Sequence, residues 1–240
     1  MNSKPRRLKP IVAIDGPAGS GKTTVSRQVA QRLGYVVLDT GALYRTVALA
    51  TSRAGLGPAS PELPRFCEAL VERGAIALEP LPGGSARVRL DGEDVSQAIR
   101  TPEISQRASE VSVVPGVRAA LLELQRTMGR GGGVVVEGRD IGSVVFPEAE
   151  AKFFLTASIE RRAERRHTEL SGSTNSPTLS SVLEQVAQRD RRDSERAASP
   201  LVQAPDAVLM DSTHLGVEQV VDRIVETVRR LEAQLAASNA

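Results

Sequence analysis

Two rhythms of apolar residues alternate along this chain. Short continuous runs at residues 11–14 (IVAI), 36–38, 134–136, 152–156 (KFFLT) and 207–210 (AVLM) read as strands buried on both faces. Other stretches place apolar residues every three or four positions. Residues 23–33 carry Val25, Val29, Ala30 and Leu33; residues 41–53 carry Leu43, Val47 and Ala50; residues 217–235 carry Val220, Val221, Ile224, Val228 and Leu231. These spacings predict amphipathic helices. Strands separated by helices predict a parallel, doubly wound α/β sheet of five strands with right-handed crossovers. One segment departs from the rhythm. Residues 75–79 and 86–90 are split by Pro80, Pro82, Gly83 and Gly84, and the Asp91-Gly92 turn precedes residues 93–95. That is a small antiparallel β insert, at about residues 74–100. A helix is predicted at 62–73, and two more at 102–112 and 115–130, the latter two opened by Pro.

The loop after the first strand carries specific chemistry. Residues 16–23 read GPAGSGKT, which fits G-x-x-x-x-G-K-[ST]. Glycines let successive backbone N–H groups point into one hollow, and the following helix N-terminus favours an anion there. The pattern implies a nucleoside triphosphate held by Gly16, Pro17, Ala18, Gly19, Ser20, Gly21, Lys22, Thr23 and Thr24. Lys22 would reach the β- and γ-phosphates, and the Thr23 hydroxyl would ligate Mg²⁺. The second strand ends in DTGALYR, so Thr40 and Arg45 fall at the carboxyl edge of the sheet, where ligands bind in such folds. Thr40 also suits a helix N-cap, with Arg45 then a solvated side chain. The third strand runs into Glu137, Gly138, Arg139 and Asp140; either acid could help position the metal, or the segment could be a turn held by an Arg–Asp pair. Asp15 could be no more than a hydrogen bonder at a strand end.

Between the fourth and fifth strands stand two Arg-rich helices, one with Arg161, Arg162, Arg165 and Arg166, the other with Arg189, Arg191, Arg192 and Arg196. The linker at residues 171–177 (SGSTNSP) is polar, and the arrangement predicts a hinged lid over residues 158–196 that closes on phosphates. Residues 158–196 hold eight Arg and seven Asp or Glu, so helix-surface ion pairs compete with that reading.

Composition narrows the partners. Net charge is +2 and aromatics are 2% with no Trp, which argues against a nucleic-acid surface or a base-stacking platform. The 27 Arg against four Lys make any single Arg cluster less telling. The lone Cys67 excludes an internal disulfide and suits a helix core. No run of 18 apolar residues occurs, so no membrane span is expected, and a cytoplasmic monomer is the natural assignment.

Taken with IDGPAGSGKTT, LDTGALYR, LDGEDVSQAIRTPEIS, SVVPGVRAALLELQR, EGRDIGSVVFPEA and RDRRDSERAASPLVQAPDAVLMDST, the chain resembles the bacterial cytidylate kinases, from about residue 10 to 235. The resemblance implies a single P-loop kinase domain over residues 1–240, with an acceptor-binding region at about 39–132. It implies ATP with Mg²⁺ as donor and CMP or dCMP as acceptor. Thr40 and Arg45 would lie beside the acceptor, Ser109, Arg118 and Asp140 at the cytosine edge, and Arg139 on phosphate. Arg189, Asp193 and Arg196 would take the acceptor's sugar and phosphate, and Arg161 and Arg165 would close over ATP. Lys22, Arg161, Arg165 and Arg189 are then the expected catalytic set. Kinases for UMP, dTMP or shikimate are the rival class; the shikimate type lacks the β insert.

Overall fold

The computed structural model describes residues 7–81, 85–171 and 177–239. The chain opens with β1 (Ile11–Asp15), α1 (Lys22–Leu33), β2 (Val36–Asp39), α2 (Thr40–Arg53) and α3 (Leu63–Glu72). The insert follows as β3 (Ile76–Leu81), β4 (Ser85–Leu90) and β5 (Glu93–Asp94). Then come α4 (Pro102–Val111), α5 (Pro115–Gly129), β6 (Val134–Gly138), β7 (Ala151–Thr156), α6 (Ile159–Leu170), α7 (Leu179–Glu195), β8 (Val208–Asp211) and α8 (Val217–Asn239).

Five parallel strands form the main sheet in the order β2-β6-β1-β7-β8, and β3-β4-β5 form a separate antiparallel sheet. Alternation along β1 sorts its side chains between two cores. Val12 and Ile14 pack with Val25 and Val29 of α1 and with Val220 and Ile224 of α8. Ile11 and Ala13 pack on the other face with Val136, Ile141 and Phe146. A third core joins α2, α3, α4 and α5 to the insert through Leu43, Cys67, Val88 and Leu121. Cys67 is fully buried, and burial pushes its thiol up to about 12, so it behaves as a small apolar residue.

Local chemistry fixes the helix ends near the site. Asp39 caps α2 by accepting from the Ala42 N–H at 3.2 Å. The helix therefore begins at Thr40, one residue earlier than expected, and Thr40 is not the cap. Its hydroxyl instead donates to the Glu137 carbonyl at 2.8 Å and ties α2 to the end of β6. Ser158 and Thr178 cap α6 and α7 through the Arg161 and Ser181 amides. The linker expected to hinge the lid lies outside the described residues at 172–176. Arg7, from the basic N-terminal stretch, is buried and paired with Glu148 at 3.1 Å and Glu150 at 3.0 Å. Among the described residues no helix is long and apolar enough to cross a membrane.

Candidate active site

The carboxyl edge of the sheet opens into a cleft of about 340 Å³ between the loop after β1 and helices α2, α4, α5 and α7. The loop's shape depends on its glycines. At Gly16 φ is +146°, and an added Cβ would sit 2.0 Å from the Leu155 carbonyl oxygen. Gly21 takes φ +93° as the residue that turns the loop into α1. Lys22, at the start of α1, is buried and donates to the Gly16 and Pro17 carbonyls at 2.8 and 2.7 Å. Burial and the nearby Arg139 charge pull its ammonium well below the usual lysine range.

Across from it, the Thr23 hydroxyl donates to Glu137 Oε2 at 2.9 Å. Glu137 is buried, its Oε1 has no hydrogen-bond partner, and burial followed by the Asp39 charge raises its carboxyl to about 7. Asp39 itself pairs with Arg45 at 2.6 Å. Burial works to raise that carboxyl, but Arg45 outweighs it and holds it below the ordinary carboxylate range.

The far wall is a set of buried ion pairs. Arg118 on α5 meets Asp140, and Arg196 Nη2 stands 3.6 Å from the other Asp140 oxygen. Arg139 pairs with Asp193 at 2.8 Å. Arg189, half-buried, is lowered to about 10 by burial and by Arg139. Among the described residues, ten buried side-chain polar atoms lack a hydrogen-bond partner. Six belong to residues lining this cleft: Arg45, Ser109, Arg118, Glu137, Arg189 and Arg196. Orphans concentrated in one place mark polar groups aimed at a ligand rather than at the protein.

The cleft thus gathers Lys22, Thr23, Thr40, Arg45, Ser109, Arg118, Arg139, Asp140, Arg189, Asp193 and Arg196. Arg161 lies outside it, exposed and paired with Glu164 at 3.0 Å. Arg165 sits beside the loop, donating to Ser212 O at 2.8 Å and Ser20 O at 3.3 Å. Two neighbours face inward instead: Arg162 donates to the Ala18 carbonyl at 3.2 Å, and Arg166 lines the cleft. Asp39 and Tyr44 also line the cleft; both stand in DTGALYR, where only Thr40 and Arg45 were expected at the site. The available signal was their spacing with Thr40, as cap and as the residue one helical turn on.

Asp15 turns out to hold the site's floor. Its carboxylate accepts from the Ile141 and Gly142 amides, both at 2.8 Å. Those residues begin a single wide helical turn, Ile141–Val145, closed by the Phe146 N–H on the Ile141 carbonyl at 2.7 Å. Burial raises the Asp15 carboxyl from 3.8 to about 6, against the pull of the two amides. A carboxyl raised on folding favours the fold fully below the unfolded value, and that contribution is lost as pH rises through the folded value. Asp15→Asn cannot ionise. Its stability relative to the parent is therefore expected to rise by about 2 kcal/mol between pH 4 and pH 6. Urea unfolding of both proteins across that range checks this; a constant difference would show that Asp15 ionises normally.

The family model for cytidylate kinase matches residues 12–230. The chain belongs to the cytidylate kinase family. A cytidylate kinase from Geobacter sulfurreducens is 50% identical over 223 residues, covering 92% of this chain and 94% of that one. One from Syntrophotalea carbinolica is 50% identical over 218 residues, covering 91% of each. Among solved structures, a gluconokinase from Sinorhizobium meliloti aligns over 98% of this chain and all of its own, at 18% identity and a TM-score of 0.45. As a member of the cytidylate kinase family the protein is a nucleoside monophosphate kinase, and the UMP, dTMP and shikimate readings are not favoured.

Proposed function

We propose that this cleft transfers the γ-phosphate of ATP to CMP or dCMP, giving ADP and CDP or dCDP. One observation carries the reading: a buried Arg118–Asp140 pair, with the unpartnered Ser109 hydroxyl, lines the same cleft as the phosphate loop. The pair suits a cytosine edge. A carboxylate accepts from the exocyclic amino group of cytosine and repels the carbonyl that uracil offers there. The loop amides and Lys22 take the donor phosphates, and Arg45, Arg139 and Arg189 suit the acceptor phosphate and the charge between the two.

The chemistry needs no strong base, because the acceptor phosphate oxygen is already anionic at neutral pH. The residues align two anions and stabilise charge that spreads over the transferring group. Thr23 and the free Glu137 Oε1 fit a Mg²⁺ ion. Mg²⁺ commonly keeps water and nucleotide oxygens as ligands, so it needs few from the protein. Bound there, Mg²⁺ would neutralise phosphate charge. We take residues 39–132 as the acceptor-binding region and residues 158–196 as a lid. The small core of Ala163, Val182 and Val186 supports motion of α6 and α7 as one piece, which would bring Arg161 and Arg165 over the donor.

The test is ATP consumption with CMP, dCMP, UMP, AMP, dTMP, shikimate and no acceptor. CMP and dCMP are expected to exceed every other acceptor in kcat/KM by 10-fold or more, about the scale of one mispaired buried hydrogen bond. Equal use of AMP or dTMP would sink the assignment.

A further inference from the structure

Tyr44 is the one aromatic residue among those lining the cleft, and the reading above leaves it without a task. Its ring lies 5.5 Å from the guanidinium carbon of Arg118. Arg118 needs such a support. Only 8% of it is exposed, yet its hydrogen bonding is thin. Nη2 meets the Asp140 carboxylate, Nη1 reaches the Ser112 carbonyl at 3.4 Å, and Nε has no hydrogen-bond partner. Held at one edge alone, a guanidinium can rotate about that contact and carry its partner's orientation with it. A π face beneath the plane removes that freedom and is attracted to the charge.

The ring is itself well fixed. Tyr44 follows Thr40 by one helical turn, and the Thr40 hydroxyl bonds the Glu137 carbonyl at 2.8 Å, three residues before Asp140. The element carrying the ring and the segment carrying Asp140 are therefore tied together beside the pair they serve. We propose that Tyr44 is a positioning residue for acceptor selection: its ring face sets the plane of the Arg118 guanidinium, so that Arg118 and Asp140 present a pre-formed edge to the base. The inference rests on the acceptor site described under the proposed function. The ring does this and the hydroxyl does not.

The experiment compares Tyr44→Leu, Tyr44→Phe, Arg118→Ala and the Tyr44→Leu/Arg118→Ala double variant, with CMP and UMP at saturating ATP. Tyr44→Leu is expected to raise the KM for CMP by about tenfold, the scale of a desolvated cation–π contact, and to narrow the CMP-to-UMP ratio. The KM for ATP is expected to stay within about twofold, which a general loss of structure would not allow. Tyr44→Phe keeps the ring and recovers most of the loss. In the double variant Tyr44→Leu adds nothing further, because the group it positions is gone. If the two losses multiply independently, or if Phe is as poor as Leu, the positioning role is overturned while the acceptor site stands. An Arg118→Ala enzyme with full CMP efficiency would overturn the acceptor site, and the Tyr44 role with it.

Discussion

Lys22→Ala is expected to lower kcat by about 100-fold or more while the protein stays folded, the scale seen when a preorganised charge is removed from a transition state. The Lys22 ammonium bonds two loop carbonyls, but other features also hold the loop's shape. Gly16 and Gly21 set the backbone, and Ser20 separately bonds the Pro17 carbonyl at 3.0 Å. What is lost is a buried cation standing where donor phosphates would lie, and neutral loop amides cannot replace it. The effect therefore falls on turnover rather than on acceptor affinity. Lys22→Arg is expected to rescue poorly, since the ammonium sits between two carbonyls under 3 Å away and a planar guanidinium is wider. Turnover with CMP, alongside circular dichroism and a thermal midpoint, checks this. A folded Lys22→Ala enzyme with near-normal turnover would defeat the phosphate-loop assignment.

Asp140→Asn is expected to lower kcat/KM for CMP and to narrow the gap between CMP and UMP by about 1–3 kcal/mol. The substitution keeps the size but changes two things. The amide can turn a donor toward the uracil carbonyl, and Arg118 and Arg196 lose the charge that faces them both. Breaking one partner of a buried pair leaves the other uncompensated, so a modest stability loss accompanies the change in selectivity. Arg118→Ala is expected to weaken CMP use without improving UMP. Steady-state kinetics for both acceptors at saturating ATP separates the effects. An equal factor lost on both acceptors would make Asp140 a structural carboxylate rather than a reader of the base.

The fold was legible because its signals are local. Each buried strand is a short apolar run between polar loops, and the insert announces itself by Pro, Gly and an Asp-Gly turn. Among the expected elements the differences lie at the ends, and the one at Thr40 is instructive: a Thr before Gly looks like a cap, but the carboxylate one residue earlier takes the amide. The phosphate loop was legible for the same reason, since its residues are contiguous. The rest of the cleft was not. Arg139 and Asp193 are 54 residues apart, and Arg118 and Asp140 are 22 apart. No periodicity links them; only the crossovers of the sheet bring them together, so the resemblance had to supply them. The wide turn at 141–145 was invisible for a further reason. It forms because Asp15, from a distant strand, accepts its first two amides, and nothing in IGSVV favours that winding.

That Asp15 contact fastens two edges of the cleft to each other. The strand that ends in the phosphate loop is riveted, through one carboxylate, to the segment that begins just past Asp140. The phosphate loop and the carboxylate proposed to read the base are thereby joined through the sheet itself, by a contact that involves no helix side chain. Under the proposed function, approach of the two phosphates would then fall to the lid helices α6 and α7, since Thr40 and Arg118 fasten α2 and α5 to the same edge. On that reading the base would rest against an anvil built into the sheet, and the lid alone would close the gap.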